Sequence, residues 1–288
     1  MNRPILSAFA DEIDSSLITQ MNVLDKHDIK YIEMRGVNGK NLVDHTLDEV
    51  RDIKRQLASK NFKISAIGSP IGKIMITDDF DAHFELFKHT LNIAKILETR
   101  YIRIFSFFIP ENTAPEIYRE TVMSRMKKLT EAAETQNITL LHENEKDIYG
   151  DIPERCLDIF ETVNSKFLRA TFDPANFVQC GVEPYPHAYR LLENQIEYLH
   201  MKDALFRDNS VVPAGEGDGN ITEILNTLIS GGYKGFISLE PHLASFEGFQ
   251  NLEPHSKTPM GFQSDGERKF AIAADALNKI LEKVTKET

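Results

Sequence analysis

Cysteine is scarce in this chain of 288 residues: only Cys156 and Cys180 occur, at a spacing that matches neither a metal motif nor a redox pair. A disulfide framework is not expected, and reduced thiols in a cytoplasmic protein are the natural reading. Blocks of lysine or arginine are also missing, and the net charge is −11. A nucleic-acid backbone or an anionic membrane attracts a positive surface, so neither is an expected partner. No stretch is long and apolar enough to span a bilayer. The start, Met1-Asn2-Arg3-Pro4, runs through a short apolar stretch to Asp11-Glu12 and lacks a signal-peptide core. There is no Gly-rich dinucleotide turn after an early strand. Nor is there a composition shift or a low-complexity segment, so 1–288 reads as one domain.

What the chain has is a rhythm. Short apolar runs at 4–10, 31–34, 63–67, 101–105, 138–142, 168–172, 196–199 and 236–239 read as strands. Amphipathic segments between them read as helices. Asp14 or Ser15, Thr46, and Asp78 or Asp79 are N-cap candidates for the first three, and Pro115 and Pro153 sit in later first turns. Gly231-Gly232 stops a helix over 221–229, and a last helix runs to about Lys283. Eight strand–helix units predict an α/β protein, a closed (β/α)8 TIM barrel. The open doubly wound sheet is the competing architecture.

Four successive strands end in polar residues. Ile138 to Leu141 leads to Glu143, Leu168 to Phe172 to Asp173, Ile196 to Leu199 to His200, and Phe236 to Leu239 to Glu240. A lone carboxylate at the end of a buried strand is costly to desolvate. In a barrel the strand C-termini share one mouth, so these four would meet. Three carboxylates that close repel one another unless a cation is present. Glu, Asp, His and Glu suit a hard-to-borderline divalent ion. One such ion (Mn, Co, Mg or Zn) is the expected cofactor, with Glu143, Asp173, His200 and Glu240 as its ligands.

The segments His142-Glu143-Asn144, Phe172-Asp173-Pro174-Ala175-Asn176, Leu199-His200-Met201-Lys202-Asp203 and Leu239-Glu240-Pro241 resemble the xylose isomerase-like TIM barrels. The resemblance covers almost the whole chain. It implies a sugar or sugar-phosphate isomerase or epimerase with a small sugar-like substrate. In ketose 3-epimerases of that group the corresponding Glu, Asp, His and Glu hold one divalent metal. The two glutamates, here Glu143 and Glu240, face opposite sides of the sugar; one removes a proton beside the carbonyl and the other returns one. Those epimerases have a His three residues after the metal-binding Asp, where this chain has Asn176. The group also holds cyclitol dehydratases and isomerases of hydroxy-carbonyl acids. An abasic-site endonuclease-like phosphodiesterase, which is His-rich and binds several zinc ions, and a non-catalytic sugar-binding barrel are the rival readings.

The chemistry is reasonable on its own terms. A C–H beside a carbonyl is a very weak acid, and a dication on the carbonyl oxygen stabilises the enediolate that forms. A carboxylate on each face permits inversion, whereas one base shuttling between adjacent carbons gives aldose–ketose isomerisation. Lys73, Asn176, Lys202 and His242 are expected to contact substrate. Lys73 either holds a substrate oxygen or phosphate or is merely exposed. Asp203 is expected to orient a metal ligand from behind, with a solvated salt bridge as the alternative. Arg35 and Arg103 lie near strand ends, and alternation with its Ile neighbours turns Arg103 toward the helix layer. His142 alternates with Glu143 and reads as a core histidine. Gly215-Glu216-Gly217-Asp218-Gly219 reads as a turn, since its two acids would repel phosphate. The unpatterned segment 241–264, with Phe246 and Phe249, reads as a lid or a subunit contact, which leaves a homo-oligomer open.

Overall fold

In the computed structural model, residues 4–243 and 265–287 are described. Most of the segment read as a lid, with Phe246 and Phe249, lies outside them. Eight parallel strands form a closed ring: β1 (Ile5–Ala8), β2 (Tyr31–Met34), β3 (Lys63–Ile67), β4 (Tyr101–Ile104), β5 (Thr139–Glu143), β6 (Leu168–Phe172), β7 (Ile196–Met201) and β8 (Phe236–Leu239). Each strand pairs with its neighbours in sequence, and β1 seals the ring against β8 with Ile5 opposite Phe236 and Ala8 opposite Leu239. The outcome is the (β/α)8 TIM barrel that eight strand–helix units imply.

The helices are α1 (Leu17–Lys26), α2 (Leu47–Ser59), α3 (Phe80–Leu97), α4 (Arg119–Glu134), α5 (Pro153–Val163), α6 (Pro174–Gln179), α7 (Tyr189–Leu192), α8 (Ile221–Ser230) and α9 (Gly266–Glu287). Local chemistry sets their ends. Thr46 and Glu49 form a reciprocal capping box on α2, and Asp79 caps α3 through the Asp81 N–H. Pro153 occupies the first turn of α5, and Asn164 ends it in a left-handed conformation. The α1 cap differs from the expectation: Ser16 holds the cap position, and Asn38 Oδ1 accepts the Leu17 N–H from a neighbouring loop. The short α6 was not foreseen; Asp173 and Pro174, read as a strand end, start it at once. The helices present Leu24, Ile53, Phe87, Leu91, Met126, Ile159 and Leu225 to the sheet, all buried. Each such side chain contributes roughly 1.5–3 kcal/mol on burial.

The barrel interior is layered. At its floor Ser7 Oγ lies 2.6 Å from Ser65 Oγ, which lies 2.9 Å from the Tyr198 hydroxyl. Tyr198 and His200, two residues apart on β7, both point inward, so the layer above the floor is the charged mouth. On that side the loops after β3, β4 and β5 are zipped by backbone bonds. Phe105 N–H donates to the Ile71 carbonyl, Phe107 N–H to the Gly72 carbonyl and Tyr149 N–H to the Phe107 carbonyl. Gly72 has φ near 90°, and a Cβ there would be driven into the Phe105 carbonyl. Among the described residues no helix is long and apolar enough to cross a membrane.

Candidate metal and acid–base site

Glu143 is the last residue of β5, Asp173 follows β6 and caps α6, His200 is the fifth residue of β7, and Glu240 follows β8. All four are buried. One potential ligand atom from each lies within 4.8 Å of the others. His200 organises them. Its Nε2 lies 3.1 Å from both carboxylate oxygens of Glu33, on β2. Its Nδ1 faces Glu143 Oε1 at 2.9 Å, Glu240 Oε2 at 3.5 Å and Asp173 Oδ2 at 4.0 Å. A carboxylate on the far ring nitrogen is the arrangement that fixes a metal-ligating imidazole. Asp173 Oδ2 is buried and receives no hydrogen bond, so it keeps its lone pairs for charge contacts, as a metal-ligand oxygen does. Asn144 anchors Asp173 by its backbone, accepting the Asp173 N–H and donating to its carbonyl. The donor set and geometry fit a dication.

Positive charge from the protein itself also reaches this cluster. Three protein cations are buried among the carboxylates. Arg103 Nη1 donates to Glu143 Oε2 at 3.0 Å. Arg35 Nη1 donates to Glu240 Oε1 at 3.0 Å, and its other nitrogens bind Asp11 and Glu12. Lys202 Nζ lies 2.8 Å from Glu240 Oε2 and 3.1 Å from Asp173 Oδ2. Against them stand six carboxylates, from Asp11, Glu12, Glu33, Glu143, Asp173 and Glu240. With His200 and His242 both neutral the carboxylates exceed the cations by three, and a charged His242 reduces the excess to two, so a dication is accommodated but is not the sole counter-charge.

Burial and charge pull the titrations apart. Burial alone would raise the Glu143 pKa, but His200 and Arg103 outweigh it and bring it to about 2. Burial would raise Glu240 as well; Lys202, His242 and His200 hold it well below the usual carboxylate range. Asp173 goes the other way: burial lifts it to about 6, against the pull of Lys202. Burial disfavours a charged His200, yet Glu143 and Glu33 push its pKa well above that of a free imidazole.

Other residues singled out from the sequence fall as follows. Arg103 does not face the helices. Its flanking Ile102 and Ile104 do, because a strand of this sheet is apolar on its outer side and the polar residue takes the inner one. Lys202 is in the mouth, as described. Asn176 Nδ2 donates to Glu143 Oε1 at 3.2 Å and to the Asn144 carbonyl, so it steadies a glutamate. His242 Nε2 lies 3.3 Å from Glu240 Oε1 and 3.5 Å from Glu12 Oε1. Lys73 is neither exposed nor in the cluster: it pairs with Glu145 at 3.2 Å and lies over the Phe105 ring. Asp203 touches none of the four. Its carboxylate accepts the N–H groups of Gly215, Gly217 and Gly219, holding the turn those glycines form. His142 is a buried histidine bound to Ser106, with burial holding its pKa to about 4.

Asp11, Glu12 and Glu33, and the position of Arg35 at the centre of the mouth, were missed. Their signal was the one already used for the last four strands: polar residues at strand ends, here those of β1 and β2. Between the two arginines lies Phe9, its ring 4.5 Å from the Arg35 guanidinium and 5.2 Å from that of Arg103. Gly68 leaves room for that ring, since a Cβ there would strike Phe9 and crowd Arg35.

Fold and mouth together define a (β/α)8 barrel with a cluster of ligand-type residues at the ends of its last four strands. The chain belongs to the xylose isomerase-like TIM barrel family, whose model matches residues 22–281. Its sequence is 30% identical over 152 residues to the uncharacterized protein MJ1311 of Methanocaldococcus jannaschii. That match spans 50% of this chain and 51% of the relative, about half the length of each. Among solved structures, a D-tagatose 3-epimerase-like protein superposes with TM-score 0.75 at 19% identity, covering 98% of this chain and 99% of the other. The IOLI protein with a binding zinc atom superposes with TM-score 0.73 at 17% identity, covering 97% and 99%. At these identities the likeness is one of fold.

Proposed function

We propose that this protein is a metal-dependent isomerase or epimerase of a small sugar or related polyhydroxy carbonyl compound, acting by proton transfer beside the carbonyl. One observation carries the reading. Glu143 and Glu240 arrive from β5 and β8, each clamped by its own arginine, and each turns its second oxygen toward His200 Nδ1. Two independently held carboxylates on one small site are what removal and return of a proton require. A dication held by Glu143, Asp173, His200 and Glu240 would polarise the carbonyl and stabilise the negative charge of the enediolate.

In this reading Glu143 takes or delivers the proton on one face of the substrate and Glu240 on the other. Asn176 and Arg103 fix the Glu143 carboxylate, while Arg35 and His242 fix that of Glu240. Glu33 keeps the His200 ring in orientation. Lys202, beside Asp173 and Glu240, is the cation in reach of substrate oxygens, whereas Lys73 is held by Glu145 outside the cluster. The shared fold with a D-tagatose 3-epimerase-like protein and with a zinc-bound barrel supports the assignment.

The test is hydrogen–deuterium exchange. Protein supplied with Mn, Co, Mg or Zn is incubated with a panel of ketoses, aldoses and keto-cyclitols in D2O, and substrate C–H signals are followed by NMR. A responsive substrate should lose the proton beside its carbonyl. Glu143→Gln and Glu240→Gln should each abolish the exchange while the circular dichroism of the barrel is kept. Undiminished exchange in both variants would remove the two glutamates from the mechanism.

A further inference from the structure

The contacts of the four ligand-type residues fall into an outward and an inward set. Each glutamate gives one oxygen to an arginine: Glu143 Oε2 to Arg103 and Glu240 Oε1 to Arg35. The other oxygens, Glu143 Oε1 and Glu240 Oε2, turn with Asp173 Oδ2 toward His200 Nδ1. These inward atoms are the ones an ion would need. Glu143 Oε1 has a neutral partner there, the Asn176 amide. The other two face the Lys202 ammonium, at 2.8 Å for Glu240 Oε2 and 3.1 Å for Asp173 Oδ2. The arginines therefore leave the ion's place open, and Lys202 does not.

We infer that Lys202 is a displaceable internal cation: its ammonium bridges Asp173 and Glu240 when no dication is bound, and gives those oxygens up when one binds. The inference rests on the metal reading of the preceding section. Three features support an exchangeable contact. Asp173 Oδ2 receives no hydrogen bond, so its attachment to Lys202 is Coulombic and imposes little direction. The lysine stem is flexible and its ammonium is a compact point charge, unlike the fixed guanidinium forks beside it. Without Lys202 the buried Asp173 and Glu240 would face each other in the metal-free protein with only the His200 ring, 4.0 and 3.5 Å from their inward oxygens, to offset the charge there. Lys202 thus keeps the mouth intact in the metal-free protein, and it opposes the ion that replaces it.

Titration calorimetry with Mn(II) and Zn(II) on chelator-stripped protein tests this without reference to activity. Lys202→Met removes a like charge a few ångström from the incoming ion, which should tighten dication binding by roughly tenfold or more. Lys202→Arg keeps the charge and should bind no more tightly than the wild type. Metal-free Lys202→Met should melt below the wild type and gain more from added dication. Should it not fold without metal, Lys202→Gln, which is neutral yet keeps a hydrogen-bond donor on the side of Glu240 Oε2, carries the same expectation. Neutral variants that bind the dication no better than the wild type would overturn the inference and leave the metal reading standing. A wild type and neutral variants that all bind no dication would overturn the metal reading, and this inference with it.

Discussion

At the scale of single residues, the buried charges are the most sensitive points of the molecule. Removing one partner of a buried pair leaves the other without compensation. Arg103→Met should therefore destabilise the barrel by on the order of 3 kcal/mol, read as a shift in urea midpoint. Adding Glu143→Gln to it should recover much of that loss; an additive double variant would mean that the pair does not interact. A second residue gives a pH signature outside the charged cluster. His83 Nε2 accepts the Gly72 N–H at 2.8 Å, and burial, with Arg125 nearby, lowers its pKa from 6.5 to about 4. As pH falls from 6.5 toward 4 the unfolded chain takes up the proton first, so this contribution is full above pH 6.5 and is lost as pH drops through that window. His83→Gln, which keeps an acceptor without titrating, should flatten this part of the pH–stability curve; an unchanged slope would reject the assignment. Residue type was legible here more readily than direction. Arg103 was visible in the sequence, but its inward orientation was read backwards, because strands covered by helices are apolar on the outside too.

At the scale of elements, each strand announced itself by an apolar run closed by a polar residue, and the ends of β5 to β8 were legible by that rule. The rule was not extended to β1 and β2, so Glu12 and Glu33 went unassigned, although they touch Arg35 and His200. The loops were harder, since their partners are distant in sequence and follow no period. Asp203 is the clearest case: its proximity to His200 in sequence suggested a role behind the metal, and only the fold brings Gly215, Gly217 and Gly219 to its carboxylate. The zipped loops after β3 and β4 make a prediction of their own. Gly72→Ala would both force a side chain into positive φ and drive its Cβ into the Phe105 carbonyl. It should lower the melting temperature markedly and speed amide exchange at Phe105 and Phe107, whose N–H groups bond this loop. Unaltered exchange there would mean that the loop does not brace β4.

At the scale of the whole molecule, binding at the mouth should register as global stability, because the cluster joins strands from around the ring. A dication at 100 times its dissociation constant adds about 2.7 kcal/mol, or roughly 4–5 °C in melting temperature for a domain of this size. A chelator should reverse the gain. No shift with Mn, Co, Mg or Zn would count against a shared ion site. The distribution of charge along the chain has one more consequence. Arg35 and Arg103 come from the first four strands, and the glutamates they grip come from the last four. Of the two pairs, Arg35 with Glu240 reaches from the end of β2 to the end of β8, so its pull acts across the seam that β1 and β8 must close. The filling of the mouth and the completion of the ring are then one event: Arg35 meets Glu240 only when the final strand has come home to its first.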